Sequence, residues 1–278
     1  MGGWILEPKR TFRPLRILLL LIIFVCLIPV LRFHFTSMQH EKQQKALRNA
    51  GPHPEDAGPE LKSSGNGTSG TSSGKGEILD KFQTLYSENS DLAGWLFIEG
   101  TNINNPVMKC EDDEYYLSHD FYRQNDKYGC LFVRNTADLH TPGTNFIIYG
   151  HNMKDGSMFG ELDAYQSEDF CREHPVISFD TLYEERSYEV IAAFQAKVFP
   201  EDLGNQPQPS KDPSAFKYYE FYQADTEEDF LYFYENIKKL SFYDTGVTAA
   251  FGDTFLTLST CSYHTDDGRF VVVAKRIP

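Results

Sequence analysis

Apolar and polar residues alternate at period two over 254–258, the pattern of a half-buried strand, and the run continues through Ser259 and Thr260 to Cys261. A polar stretch at 264–268 ends in Asp267-Gly268, a turn signal, and the β-branched run 269–275 opens on Arg269. The chain therefore closes on a hairpin. Further upstream, Ile78, Leu79, Phe82, Leu85 and Tyr86 fall on one face of a predicted helix. Short strands follow at 94–98 and 103–108 around Gly100-Thr101-Asn102, then a short helix within 113–121 and strands at 129–133 and 144–149. A short helix is expected at 157–162, and a long hairpin from 176–181 and 186–198. The clearest helix is 225–240, with Asp225 and Glu228 as a capping pair and Phe230, Phe233, Tyr234 and Ile237 as its buried stripe. A short run at 247–251 precedes the final hairpin. Many short strands interrupted by a few helices predict a mainly β domain over 77–278, a mixed β-barrel.

The N-terminal 35 residues follow another pattern. Lys9, Arg10, Arg13 and Arg16 precede an uninterrupted apolar run, 17–31. As a helix its about 15 residues give roughly 22 Å, short of a roughly 30 Å bilayer core, which Arg32 extends by snorkelling past Phe33 and Phe35. A cleaved signal peptide is the alternative, but 32–44 is bulky and polar and offers no small-x-small cleavage site. Residues 1–35 are expected to form a short cytoplasmic tail and signal anchor. Arg32, Lys42, Lys45 and Arg48 nearly balance the preceding basic residues, so the short tail before a long domain sets the orientation, N-terminus inside. Residues 36–76 are expected to be a flexible extracellular linker, turning to Gly, Ser, Thr and Pro at 51–76. Asn66-Gly67-Thr68 matches a glycosylation acceptor by coincidence of composition.

A net charge of −14 argues against nucleic-acid binding, which needs basic patches. Five cysteines show no paired metal-ligand spacing, so no metal or other cofactor is expected. A disulfide among Cys110, Cys130 and Cys171 is permitted outside the cell, while Cys26 falls in the anchor. Asp112-Asp113-Glu114 reads better as a solvated helix start than as a cation site.

Chemistry enters where the final hairpin places a thiol at one strand's end and a guanidinium at the next strand's start. A thiol beside a fixed cation is biased toward thiolate. From that stretch alone, a core cysteine beside a surface arginine is the competing reading. A second apolar strand, 145–149, ends in Gly150-His151 and supplies an imidazole able to exchange a proton with the thiol. His264 is three residues from Cys261, on the opposite face of an extended strand, and His119 and His174 read as surface or structural.

Three segments together carry a resemblance: Tyr149-Gly150-His151-Asn152-Met153, then Thr257-Leu258-Ser259-Thr260-Cys261, then Gly268-Arg269. In order and spacing they resemble the His, Cys and Arg motifs of a sortase. The resemblance implies a closed eight-stranded β-barrel over about 77–278. The N-terminal helix, and a long segment with a helix between the strands that would be β6 and β7, resemble class B. Asn105-Pro106-Val107 and Tyr116-Leu117-Ser118-His119-Asp120-Phe121 also resemble class B sequences.

On this reading Cys261 attacks a peptide carbonyl and forms a thioacyl-enzyme, a step of the cysteine endopeptidase type. Arg269 stabilises the oxyanion or grips substrate carbonyls, and His151 protonates the leaving amine and then deprotonates the incoming one. No neighbouring motif supplies a triad acid, which implies a slow enzyme. The resemblance further implies a groove lined by Leu117, Tyr149 and Ser259, with an oxyanion-hole N–H from the Thr260 region. It implies surface-protein substrates with a C-terminal sorting signal, cut after Thr. The acceptor it implies is an amine of a peptidoglycan cross-bridge or lipid II, at the extracellular face of a Gram-positive membrane. Asp113 stands near where some members carry an asparagine that contacts the signal, which leaves the preferred first residue open. The alternatives are a pilin-polymerising sortase, a hydrolytic cysteine peptidase of papain or NlpC type, and an anchored binding module without catalysis. The peptidases place Cys before His in the chain, the reverse of His151 and Cys261.

Overall fold

The structure is a computed structural model that describes residues 13–52, 76–197, 216–261 and 268–278. Its contacts divide the chain into two units, Met1–Ala46 and Leu47–Pro278. Helix α1 (Arg13–Ala50) makes up most of the first and ends just inside the second; it carries the apolar run, with Pro29 inside it. Leu18, Ile22, Val25 and Leu27 are exposed on successive sides of that helix. Among the described residues no helix is long and apolar enough to cross a membrane. Residues 36–50, expected as the start of the linker, are helical. Gln43, Gln44, Lys45, Ala46 and Leu47 are all good helix formers, and their propensity prevails over the polar composition.

Beyond α1 the second unit contains α2 (Asp80–Glu88) and builds a closed barrel from eight strands: β1 (Leu92–Phe97), β2 (Asn104–Met108), β3 (Leu131–Phe132), β4 (Asn145–Gly150), β5 (Val176–Thr181), β6 (Ser187–Lys197), β7 (Phe255–Cys261) and β8 (Gly268–Ile277). Around the barrel the order is β1-β2-β3-β4-β7-β8-β6-β5, and β5 pairs with β1 to close it. Most neighbours are antiparallel, but β2 with β3 and β4 with β7 are parallel. Two further helices, α3 (Glu168–Glu173) and α4 (Glu227–Leu240), lie in the connections. The mainly β class and the eight-stranded barrel expected from the sequence are what the chain adopts.

Strand alternation divides the core. Phe146, Ile148, Leu256, Leu258, Phe270 and Val272 fill the barrel. Phe255, Val271 and Val273 face outward, where Phe230, Phe233 and Ile237 of α4 cover them. That is the stripe read from the sequence, serving as core. The cap of α4 sits one residue later than expected. Thr226 accepts from the Asp229 N–H, and the Asp229 carboxylate accepts from the Thr226 N–H.

Local polar bonds explain where other expected elements shrink. Within 113–121 only the turn Tyr115–Leu117 is helical, because Asp112 takes the Glu114 N–H and Asp120 takes that of Gln124. At 157–162, Ser157 donates to Asp155 and Met158 has φ 51°, so a turn stands where a helix was expected; the helical turn comes later, at Leu162–Gln166. Residues 247–251 form no strand, with the N–H groups of Val247 and Ala250 donating to Thr245 and Asp253 side chains.

Gly150 closes β4 against its neighbours. A Cβ there would lie 2.4 Å from Leu131 Cδ2 and 2.8 Å from Phe159 Cδ2. Overpacking of this kind costs about 1–3 kcal/mol. Gly150→Val is expected to lower the unfolding free energy by about that much, read as a lower urea midpoint, and an unchanged midpoint would show that the two side chains yield freely.

Candidate active site

Three adjacent strands set the positions of the sequence-selected residues. β4 and β7 run parallel with Gly150 level with Thr260, and β7 and β8 run antiparallel with Cys261 level with Arg269. One step past Gly150, His151 is level with Cys261. Neighbouring strands are about 4.8 Å apart, so the three positions span roughly 10 Å across the sheet. They also share a face: residues 256, 258, 270 and 272 are interior, which makes 261 and 269 outer-face positions, as 151 is by the alternation of β4.

His151 is half-buried and its Nε2 lies 2.7 Å from the Leu117 carbonyl oxygen. A carbonyl only accepts, which assigns the proton to Nε2 and leaves Nδ1 for proton exchange. The backbone around it is tied down. The Phe159 N–H donates to the His151 carbonyl at 2.9 Å, and Asn152 Nδ2 donates to Asp163 at 2.8 Å. Arg269 donates through Nη1 to its neighbour's carbonyl, Gly268, at 3.0 Å. Leu117 thus enters the site through its main chain, a role that side-chain reasoning could not supply.

The other groove residues take different places. Ser259 is buried and its Oγ makes a 2.7 Å hydrogen bond with the Tyr218 hydroxyl. Thr260 is buried on the inner face, and its Oγ1 has no hydrogen-bond partner. Tyr149 keeps part of its ring exposed, stacked near Phe132, while its hydroxyl is buried without a partner. A cavity of about 240 Å³ opens beside it, lined also by Arg134, Asn145, Ile147 and Tyr222. Arg134, Tyr218 and Tyr222 were not legible as site residues; an aromatic-rich stretch at 216–222 was the one signal, and nothing in sequence says which strand it covers.

The remaining candidates are structural. His119 stacks on Tyr115 and bonds its carbonyl at 2.8 Å, and His174 bonds the Glu99 carbonyl at 2.7 Å. His264 lies outside the described residues. Asp113 accepts from the Asn135 N–H at 2.6 Å, and Asp112 from that of Glu114. Among the described residues no cluster could hold a metal ion. Cys26, Cys110, Cys130 and Cys171 are free thiols, so the disulfide permitted by sequence does not form among them.

A family model described as Sortase domain matches residues 96–277. The chain is similar to Sortase B of Listeria monocytogenes, 32% identical over 215 residues, which cover 74% of this chain and 78% of that protein. Among solved structures it is similar to sortase B from B. anthracis in complex with AAEK1 (TM-score 0.67, 26% identity, covering 87% of this chain and 98% of that one). It is similar also to a Staphylococcus aureus sortase B–substrate complex (TM-score 0.62, 29% identity, 73% and 87% covered).

Burial raises the thiols of Cys130 and Cys171, and burial with nearby Asp91, Asp112 and Asp113 raises that of Cys110. Each is therefore protonated at neutral pH, and the thiolate is the reactive form. Mass mapping after iodoacetamide treatment at pH 7 is expected to find Cys130 and Cys171 unmodified in the folded chain and alkylated once it is unfolded. Alkylation of Cys130 in the folded chain would contradict the burial.

Proposed function

Since the chain belongs to the sortase family, and to its class B, we propose that it is a transpeptidase acting on secreted proteins through a C-terminal sorting signal, with Cys261 as nucleophile. The observation that carries this reading is the shared level of His151, Cys261 and Arg269 on one outer face of β4, β7 and β8. Cys261 passes its proton to His151 and adds as thiolate to the carbonyl carbon of the signal's Thr, and Arg269 steadies the charge that develops on the oxygen. His151 gives a proton to the departing amine; the thioacyl-enzyme remains. An incoming amine then attacks, gives up its proton to His151, and releases Cys261. The Thr260 region supplies a backbone N–H to the oxyanion, and Leu117 and Tyr149 border the bound signal, while Ser259, buried and bonded to Tyr218, backs that wall. The amine belongs to a peptidoglycan cross-bridge or its lipid-linked precursor. The basic residues before 17–31 and the apolar character of that run support a single-pass anchor with the barrel on the extracellular face.

The assay incubates the chain with sorting-signal peptides, with and without an amine acceptor, and follows intact mass. A thioacyl adduct that is absent in Cys261→Ala and becomes an amide product on adding the amine is the expected result. Release of acid at a rate indifferent to the amine would instead mark a peptidase, and no adduct with any signal would mark a binding module. Arg269→Lys is expected to lower kcat/KM by about a hundredfold, since a point charge cannot reproduce the guanidinium fork. Near-normal turnover in that variant would remove Arg269 from the mechanism.

A further inference from the structure

The cavity beside Tyr149 holds chemistry that the acyl transfer itself does not use. Its volume, about 240 Å³, is below the roughly 300 Å³ of small-molecule sites and is suited to one side chain. Two of its lining residues, Tyr149 and Tyr222, have buried hydroxyls that make no hydrogen bond of good geometry, although they lie near each other and Tyr149 lies near Arg134. A buried donor without a well-placed acceptor is costly, so the site gains from any acceptor that enters. A third, Arg134, sets its guanidinium over the Tyr149 ring, 5.6 Å from the centroid. Among the described residues no ion pair engages Arg134. Asp113 acts on it at longer range, and its Oδ1 already accepts the Asn135 N–H. Burial, then the neighbouring Tyr222, push the Tyr149 phenol well up against the opposing pull of Arg134, so it stays a neutral donor. A guanidinium and two phenolic donors around a small cavity match a carboxylate.

Distance selects which substrate residue reaches it. Tyr149 is level with Ser259, two residues before Cys261, and Asn145 is level with Phe255, six before. At about 3.3 Å per residue the cavity lies roughly 7–20 Å back from Cys261 along the outer face. An extended signal with its Thr at Cys261 carries the residue three positions upstream to about 10 Å. We propose that Arg134, Tyr149 and Tyr222 form a specificity pocket for an acidic side chain at the first position of the sorting signal. This rests on the acyl-transfer reading of the same face.

The experiment measures two things on one set of x-Pro-x-Thr peptides with Asp, Asn, Ala or Lys first: binding to the Cys261→Ala chain by calorimetry, and thioacyl formation by the unaltered chain. The Asp peptide is expected to bind at least tenfold more tightly than the Asn peptide and to acylate at least tenfold faster, with the Lys peptide weakest. Adding Arg134→Gln is expected to bring the Asp-to-Asn ratio near one, and Arg134→Lys to restore part of it. Adducts from all four peptides at equal rates would overturn the pocket and leave the transpeptidase standing. Asp-selective, Arg134-dependent binding without any adduct would do the reverse. A preference for Asp that survives in Arg134→Gln, or no binding of any peptide, would also overturn the pocket.

Discussion

The parallel pairing of β4 with β7 is the constraint on which the rest depends. A parallel ladder brings two strands to the same end of a sheet, so their C-terminal residues, His151 and Cys261, come level although they are far apart in sequence. An antiparallel pairing of the same strands would put them at opposite ends. The final hairpin then returns Arg269 to the level of Cys261 through an ordinary antiparallel register. A slip of one residue in either ladder would move a member of the set to the barrel interior, where Leu258 and Val272 now sit. The apolar demands of the interior therefore fix the register that the outer face uses.

What secures the register is partly polar. Thr257 Oγ1 donates to Asn145 Oδ1 at 2.8 Å across the β4–β7 ladder, and both side chains are buried. Asn145 Nδ2 in turn donates to the Phe221 carbonyl at 2.9 Å, tying the segment before α4 to the same strand. The Tyr218–Ser259 bond does likewise two residues before Cys261. Buried bonds of this kind add little net stability but are costly to lose, so they penalise any other alignment. The wall of the groove and its floor are thus one bonded assembly. The aromatic cover of α4 over Phe255, Val271 and Val273 excludes water from the remainder of that face.

The sequence made the strands legible because 254–258 carries the pattern of a half-buried strand and 269–275 is a β-branched run opened by Asp267-Gly268, and it made α4 legible because Phe230, Phe233 and Ile237 repeat at helical spacing. The three motif residues stood out as candidate chemistry through their resemblance to one family. Periodicity could not reveal the parallel pairing, since a run such as Phe146-Ile147-Ile148 reads alike in either direction. The short helices at 113–121 and 157–162 failed for a local reason: Asp112, Asp120 and Asp155 bond backbone or hydroxyl groups that a helix would have needed in another arrangement. Arg134 and Tyr222 were invisible as partners, because neither stands in a pattern and only the folded connection brings them to Tyr149.

The bond from His151 to a main-chain carbonyl bears on how the proposed reaction divides its burden. A carboxylate partner would stabilise imidazolium by charge as well as by orientation; the Leu117 carbonyl orients and offers only a dipole. Formation of a thiolate–imidazolium pair must then rely on Arg269, held about one strand spacing from Cys261, and on whatever dipoles the bound signal brings. Such a site is slow toward any acyl donor, water-borne or not, and selectivity falls to the groove. A signal that fills the Tyr149 cavity also excludes water from the β4–β7 surface, which lowers the local dielectric and strengthens the interaction of Arg269 with the developing oxyanion. In the proposed reaction, recognition at the Tyr149 cavity and charge stabilisation at Cys261 would act through one continuous outer face.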